Sequence, residues 1–131
     1  MSARFVLLIL AVTDLARAVR FYRDAFGWTQ TVDVPVYVEF ALPDGMRFGL
    51  YERNAFAANT GERPHAIPRE ALSPTEVYLY VDDLDEAIAR LDAGGARWLS
   101  ARAPRPWGDE AAYCADPDGN VVVVARPIAA A

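Results

Sequence analysis

At 131 residues, 53% of them hydrophobic and 24% charged, the chain has the size and composition of one globular domain, which excludes long disorder. A net charge of −5 and a pI near 4.8 argue against a nucleic-acid partner, whose phosphates demand a basic surface, and suit a cationic guest. The single cysteine, Cys114, excludes an internal disulfide and a cysteine-based zinc site and points to a reducing, cytoplasmic compartment.

Arg4 and the apolar run Phe5 to Val12 read either as a signal-peptide core or as a buried strand. A helix follows. Asp14 is placed as its N-cap, Leu15, Val19, Tyr22 and Phe26 recur at helical spacing, and Arg17, Arg20 and Arg23 are left toward water. Gly27 is the stop. Strands are expected at 28–34, 36–42 and 46–53, the last two joined by a tight turn at Pro43 to Gly45. The segment 54–73 has three prolines and little periodicity, and reads as a linker, a lid or a partner contact. A strand through Val77, Leu79 and Val81 leads to a second helix, with Asp83 and Glu86 spaced as a capping box. Leu84, Ile88 and Leu91 form its stripe, and Gly94 and Gly95 end it. Strands at 97–101, 110–115 and 120–126 complete the chain, with a turn at Pro117 to Gly119. No run is long enough to span a bilayer, so no membrane partner is expected.

Two stretches repeat in the same order. ILAVTDL at Ile9 to Leu15 returns as YLYVDDL at Tyr78 to Leu84, and LPDGM at Leu42 to Met46 returns as DPDGN at Asp116 to Asn120. The order of elements is therefore β-α-β-β-β twice, an α+β fold made of tandem modules at 4–53 and 74–127 with 54–73 between them, all within one domain at 1–131. The second copy of the opening strand sits mid-chain, where no signal peptide works, so the strand reading of Phe5 to Val12 is preferred. Strand alternation assigns faces. Val36, Val38 and Phe40 oppose Tyr37 and Glu39; Met46, Phe48 and Leu50 oppose Arg47, Gly49 and Tyr51; Val77, Leu79 and Val81 oppose Glu76, Tyr78 and Tyr80. If the second turn pairs Ala115 with Val121, Tyr113 joins the polar faces, and five of six tyrosines lie away from the two repeated helices.

The segments VTDLARAVRFYRDAFGW (Val12 to Trp28) and WGDEAAYCADPDGNVVVV (Trp107 to Val124), with the duplication, resemble the vicinal oxygen chelate superfamily. That superfamily groups glyoxalase I, extradiol dioxygenases, fosfomycin-resistance enzymes and bleomycin-resistance proteins. The resemblance implies paired modules whose curled mixed sheets surround a cavity. In metal-using members, the first and last strand of each module supply four His, Glu or Gln ligands to a divalent ion, which chelates two neighbouring substrate oxygens. Carried over by position, those ligands fall on Leu7, Gly49, Glu76 and Val123, of which only Glu76 ligates through its side chain. No metal and no cofactor is expected; a divalent ion held atypically, with Glu39 and His65 recruited beside Glu76, is the minority alternative.

The candidate ligand-binding residues are Tyr37, Glu39, Arg47, Tyr51, Glu76, Tyr78, Tyr80, Trp107 and Tyr113. Tyrosine rings suit a planar or cationic guest, and equally suit a dimer face. Glu39 and Arg47 read as a cross-strand ion pair or as ligand contacts. Glu76 is the candidate base, or an edge residue in water. Cys114, Trp28 and Trp98 read as packing residues, and His65 as a solvated loop residue. The leading function is metal-independent binding or sequestration of a small aromatic or cationic molecule by a homodimer, as the resemblance to bleomycin-resistance proteins implies. The alternatives are a lyase, isomerase or dioxygenase with an atypical metal or a metal-free Glu76 base, and a structural or regulatory dimer without ligand.

Overall fold

The computed structural model describes residues 1–129. Its elements run β1 (Leu7–Val12), α1 (Leu15–Phe26), β2 (Thr29–Val34), β3 (Tyr37–Ala41), β4 (Arg47–Glu52), α2 (Arg53–Thr60), β5 (Glu76–Tyr80), α3 (Leu84–Ala93), β6 (Arg97–Pro104), β7 (Asp109–Ala115) and β8 (Val121–Pro127). They make an α+β fold with two mixed four-stranded sheets of matching order, β1-β4-β3-β2 and β5-β8-β7-β6. In each sheet the first strand pairs in parallel with the last of its repeat, and the remaining pairs are antiparallel. Packing divides the described residues into two units, 1–23 with 27–66 and 24–26 with the residues from 67 onward.

In the first unit, the Asp14 carboxylate accepts the Arg17 N–H at 3.1 Å and caps α1, which ends at Gly27 in the left-handed conformation glycine adopts without penalty. Leu10, Val12, Val38, Phe40, Phe48 and Leu50 share one buried sheet face, in the alternation the strands dictate. Tyr22 of α1 is fully buried against it, 4.8 Å from the ring of Phe48, and Trp28 stacks on Tyr22. Val36, expected on that face, precedes β3 and is exposed. The Phe5 to Val12 run is a strand from Leu7 onward, paired with β4.

The segment after β4 holds a helix the sequence reading did not anticipate. The Glu52 carboxylate accepts the N–H groups of Asn54 (2.7 Å) and Ala55 (3.2 Å), and this cap starts α2. None of its residues is fully buried, so no apolar stripe announces it.

In the second unit, Asp83 caps α3 by accepting the Glu86 N–H at 3.0 Å. The reciprocal half of the capping box is not made, because Glu86 pairs with Arg90 at 2.6 Å instead. Val77, Ala112, Cys114, Val122 and Val124 form the buried face that accompanies Leu84, Ala87 and Leu91. The Pro117 to Gly119 turn sets the register: Ala115 opposes Val121 and Tyr113 opposes Val123, as the tyrosine assignment requires. Asp116 stabilises the turn by accepting the N–H groups of Asp118 (2.9 Å) and Asn120 (2.8 Å). No described helix is long and apolar enough to cross a membrane.

Candidate functional site

The polar face of the first sheet carries Tyr37, Glu39, Arg47 and Tyr51 close together. Glu39 is 6% exposed; its carboxylate accepts the Tyr37 hydroxyl at 2.7 Å and the Arg47 guanidinium at 3.3 Å. The ion-pair reading of Glu39 and Arg47 is the one present. Burial, then the bond to Glu39, raises the Tyr37 phenol well above its ordinary range, so it stays a neutral donor. Tyr37 and Tyr51 oppose each other across β3 and β4 with ring centroids 5.0 Å apart. Tyr51 is not a bare wall. Phe56 of α2 meets it edge-on at 5.9 Å, and the Asn59 amide donates to its hydroxyl at 3.3 Å.

The second sheet gathers a different set. Tyr78 and Tyr80 lie two residues apart on one face, and both hydroxyls donate to Asp109, Tyr78 at 2.6 Å and Tyr80 at 3.0 and 3.2 Å. Trp107, at the β6–β7 hairpin, donates its indole N–H to the Tyr78 hydroxyl at 2.8 Å. Tyr113 packs with Tyr78 and Val121 over Ala111, Val123 and Ala125, and the Arg105 guanidinium lies 4.9 Å above its ring. Burial, followed by the bond to Asp109, raises the Tyr78 phenol; for Tyr80 that bond is the larger cause. Burial and the charge of Glu76 raise Tyr113. All three phenols are therefore neutral at physiological pH, and Tyr78 and Tyr80 act as donors.

Glu76 opens β5 and is exposed, and among the described residues it forms no hydrogen bond or ion pair. His65 is exposed as well. Asp109 and Arg105 were not among the residues singled out from sequence. Asp109 shares the alternation of Ala111 and Tyr113, but a strand assumed to start at Glu110 left it in the loop. An open groove of about 740 Å³ along α1 and the β2–β3 turn, lined by Leu15, Val19, Arg20, Asp33 and Val34 among others, contains none of the candidate residues.

The family model of the Glyoxalase/Bleomycin resistance protein/Dioxygenase superfamily matches residues 4–124. The chain belongs to this superfamily. Similar solved structures include a glyoxalase-related enzyme from Fulvimarina pelagi, with 23% identity, a TM-score of 0.81 and coverage of 94% of this chain and 87% of that one. A glyoxalase/bleomycin resistance protein/dioxygenase from Nocardioides is 23% identical, with a TM-score of 0.79 and coverage of 100% and 87%. A structure named lactoylglutathione lyase, from Agrobacterium tumefaciens, is 26% identical, with a TM-score of 0.72 and coverage of 96% and 95%. No curated protein matches.

The superfamily's four metal positions do not fit a metal in this chain. Leu7 and Val123 offer hydrocarbon, and the Gly49 position is covered by a neighbouring side chain. A Cβ built at Gly49 would lie 2.4 Å from the Tyr37 hydroxyl oxygen and 2.8 Å from the nearest ring carbon. The space a ligand side chain would need is filled by the phenol that holds Glu39. Among the described residues, no three His, Cys, Asp or Glu side chains gather where they could hold an ion. What the described faces present instead is phenol, indole and carboxylate.

Proposed function

We propose that this superfamily member binds and sequesters a small aromatic or cationic organic molecule without a metal, in the manner of bleomycin-resistance proteins. The observation that carries the reading is the Gly49 position, where tyrosine replaces a ligand and turns a chelating face into an aromatic one. Within the first unit a guest's flat body is received by Tyr37 and Tyr51; within the second, Tyr78, Tyr80, Trp107 and Tyr113 receive a flat or cationic body, and the carboxylates of Glu76 and Asp109 its charge. The net charge of −5 favours encounter with a cation. The same reading takes the protein as a cytoplasmic homodimer; Phe5 and Val6, exposed beside the β1 edge, and the single buried Cys114 support it.

The test is a screen of aromatic and cationic metabolites and antibiotics against tryptophan fluorescence, run in chelator and again with added zinc, manganese or nickel. Saturable binding unaffected by chelator supports sequestration. Stoichiometric tight metal uptake overturns it and favours a second reading, an enzyme of the lyase kind, for which the neighbour named lactoylglutathione lyase is the support. A blank screen, together with loss of the dimer in Tyr78→Ala/Tyr80→Ala, overturns both and assigns the tyrosines to an interface.

A further inference from the structure

We propose that Asp109, with the rings of Tyr80 and Trp107, forms a subsite for a protonated amine carried on an aromatic body. The proposal rests on the sequestration reading and deepens it by naming the ligand class and the half that takes it.

Asp109 is 5% exposed, and its carboxylate has about four lone-pair sites. Two phenolic protons serve them, and the Tyr80 hydroxyl straddles both oxygens at 3.0 and 3.2 Å rather than bonding one well. Among the described residues no cation pairs with it. Glu39 is met by Arg47 and Glu110 by Arg102 and Arg126, while the buried Asp116 is held by the backbone N–H groups of its own turn and the Asn120 amide. Arg105 makes no ion pair with Asp109: its Nη2 donates to Ser100 Oγ and to the carbonyls of Ala101 and Ala111, its Nε is buried without a partner, and its guanidinium covers Tyr113. Glu76 adds negative charge nearby, felt by Tyr113.

A carboxylate withdrawn from water with only neutral donors is costly, and a charged donor offsets that cost far better than a phenol. An ammonium group supplies up to three such donors. The surroundings supply the rest. Tyr80 is 64% exposed and Trp107 57%, so two aromatic rings meet water where their polar ends converge on Tyr78 and Asp109. Those rings receive the aromatic body of the guest and add cation–π attraction to its nitrogen. Because Tyr80 is the exposed donor, its hydroxyl is the one the amine replaces; Tyr78, held by Trp107, keeps its bond to Asp109.

Calorimetry on the full chain with benzylammonium, benzyltrimethylammonium and benzyl alcohol as probes tests this. The expected order is primary ammonium, then quaternary, then alcohol. Asp109→Asn, checked for folding by its melting curve, weakens benzylammonium about tenfold or more. Tyr80→Phe, which keeps the ring and removes the competing hydroxyl, tightens it several-fold. Equal affinity for the alcohol and the ammonium, an unchanged Asp109→Asn, or weaker binding by Tyr80→Phe overturns the amine subsite. Aromatic probes binding regardless of charge would do so while leaving sequestration standing. No binding by any probe at millimolar concentration also overturns the subsite, and the wider screen then decides the parent reading separately.

Discussion

Gly49→Ala is expected to destabilise the protein although alanine suits a strand better than glycine. Glycine at an ordinary strand position costs about 0.5–1 kcal/mol relative to alanine, and Gly49 has no positive φ that would penalise the change. The obstacle is Tyr37, whose hydroxyl oxygen and ring edge lie 2.4 to 2.9 Å from the new Cβ. The ring must swing away. It then loses its bond to the buried Glu39 carboxylate, a charged hydrogen bond of about 1.5–3 kcal/mol, and its packing on Tyr51, about 0.5–1.5 kcal/mol. A net loss of about 1–4 kcal/mol remains after the strand gain. Urea unfolding of wild type, Gly49→Ala, Tyr37→Ala and the double variant measures it as a cycle. In the Tyr37→Ala background, Gly49→Ala should become neutral or stabilising. Stabilisation by the same amount in both backgrounds would refute the reasoning, because the ring could not then occupy the Gly49 position.

Arg47→Ala leaves Glu39 buried without a cation and is expected to cost about 1–2 kcal/mol, less than a fully buried pair because the Arg47 side chain is 46% exposed; adding Glu39→Gln should recover part of it. In acid, the hydrogen bond from Arg102, assisted by Arg126, holds the Glu110 carboxyl below its usual range. Its contribution is therefore present above the unfolded pKa of about 4.3 and lost as pH falls through the folded value. Glu110→Gln should flatten the acid limb of a melting-temperature profile, and an unchanged limb would count against it. Burial pushes the Cys114 thiol up to about 12, so labelling by a thiol reagent at pH 8 should proceed only at the unfolding rate; rapid labelling of native protein would show the site open.

Most of the architecture was legible because the duplication tells the same story twice, and strand alternation then settles the faces. Tyr37, Tyr51, Tyr78, Tyr80 and Tyr113 lie off the aliphatic faces since β3, β4, β5 and β7 keep strict period two. Helix α2 escaped notice because its cap is a glutamate rather than Ser, Thr, Asp or Asn, and because no residue of it is fully buried. Asp109 escaped because a strand end is uncertain by a residue or two, and here that residue carries the charge. The empty chemistry of Leu7, Gly49 and Val123 was visible in the letters. That Tyr37 leans along its strand to cover Gly49 was not, since it depends on a rotamer and on Glu39 to anchor it.

That anchoring opposes the placing of a metal ligand on this face. Restoring a ligand at Gly49 alone meets the Tyr37 ring. Removing the ring as well leaves Glu39 short of a donor, held by Arg47 alone. Glu39 cannot simply serve as the replacement ligand, because Arg47 occupies one carboxylate oxygen and a divalent ion beside that guanidinium would be repelled. In the other half, Val123 lies under Tyr78 and Tyr113, so a ligand there competes with the packing that brings Tyr78 to Asp109. The Gly49 and Val123 positions are therefore each covered by aromatic side chains, and in each half a phenol from that cover hydrogen-bonds a buried carboxylate. The two halves differ in one respect. The first closes its carboxylate with an internal arginine, whereas the second leaves Asp109 with phenols alone, which is why an external cation has a place there and not beside Glu39.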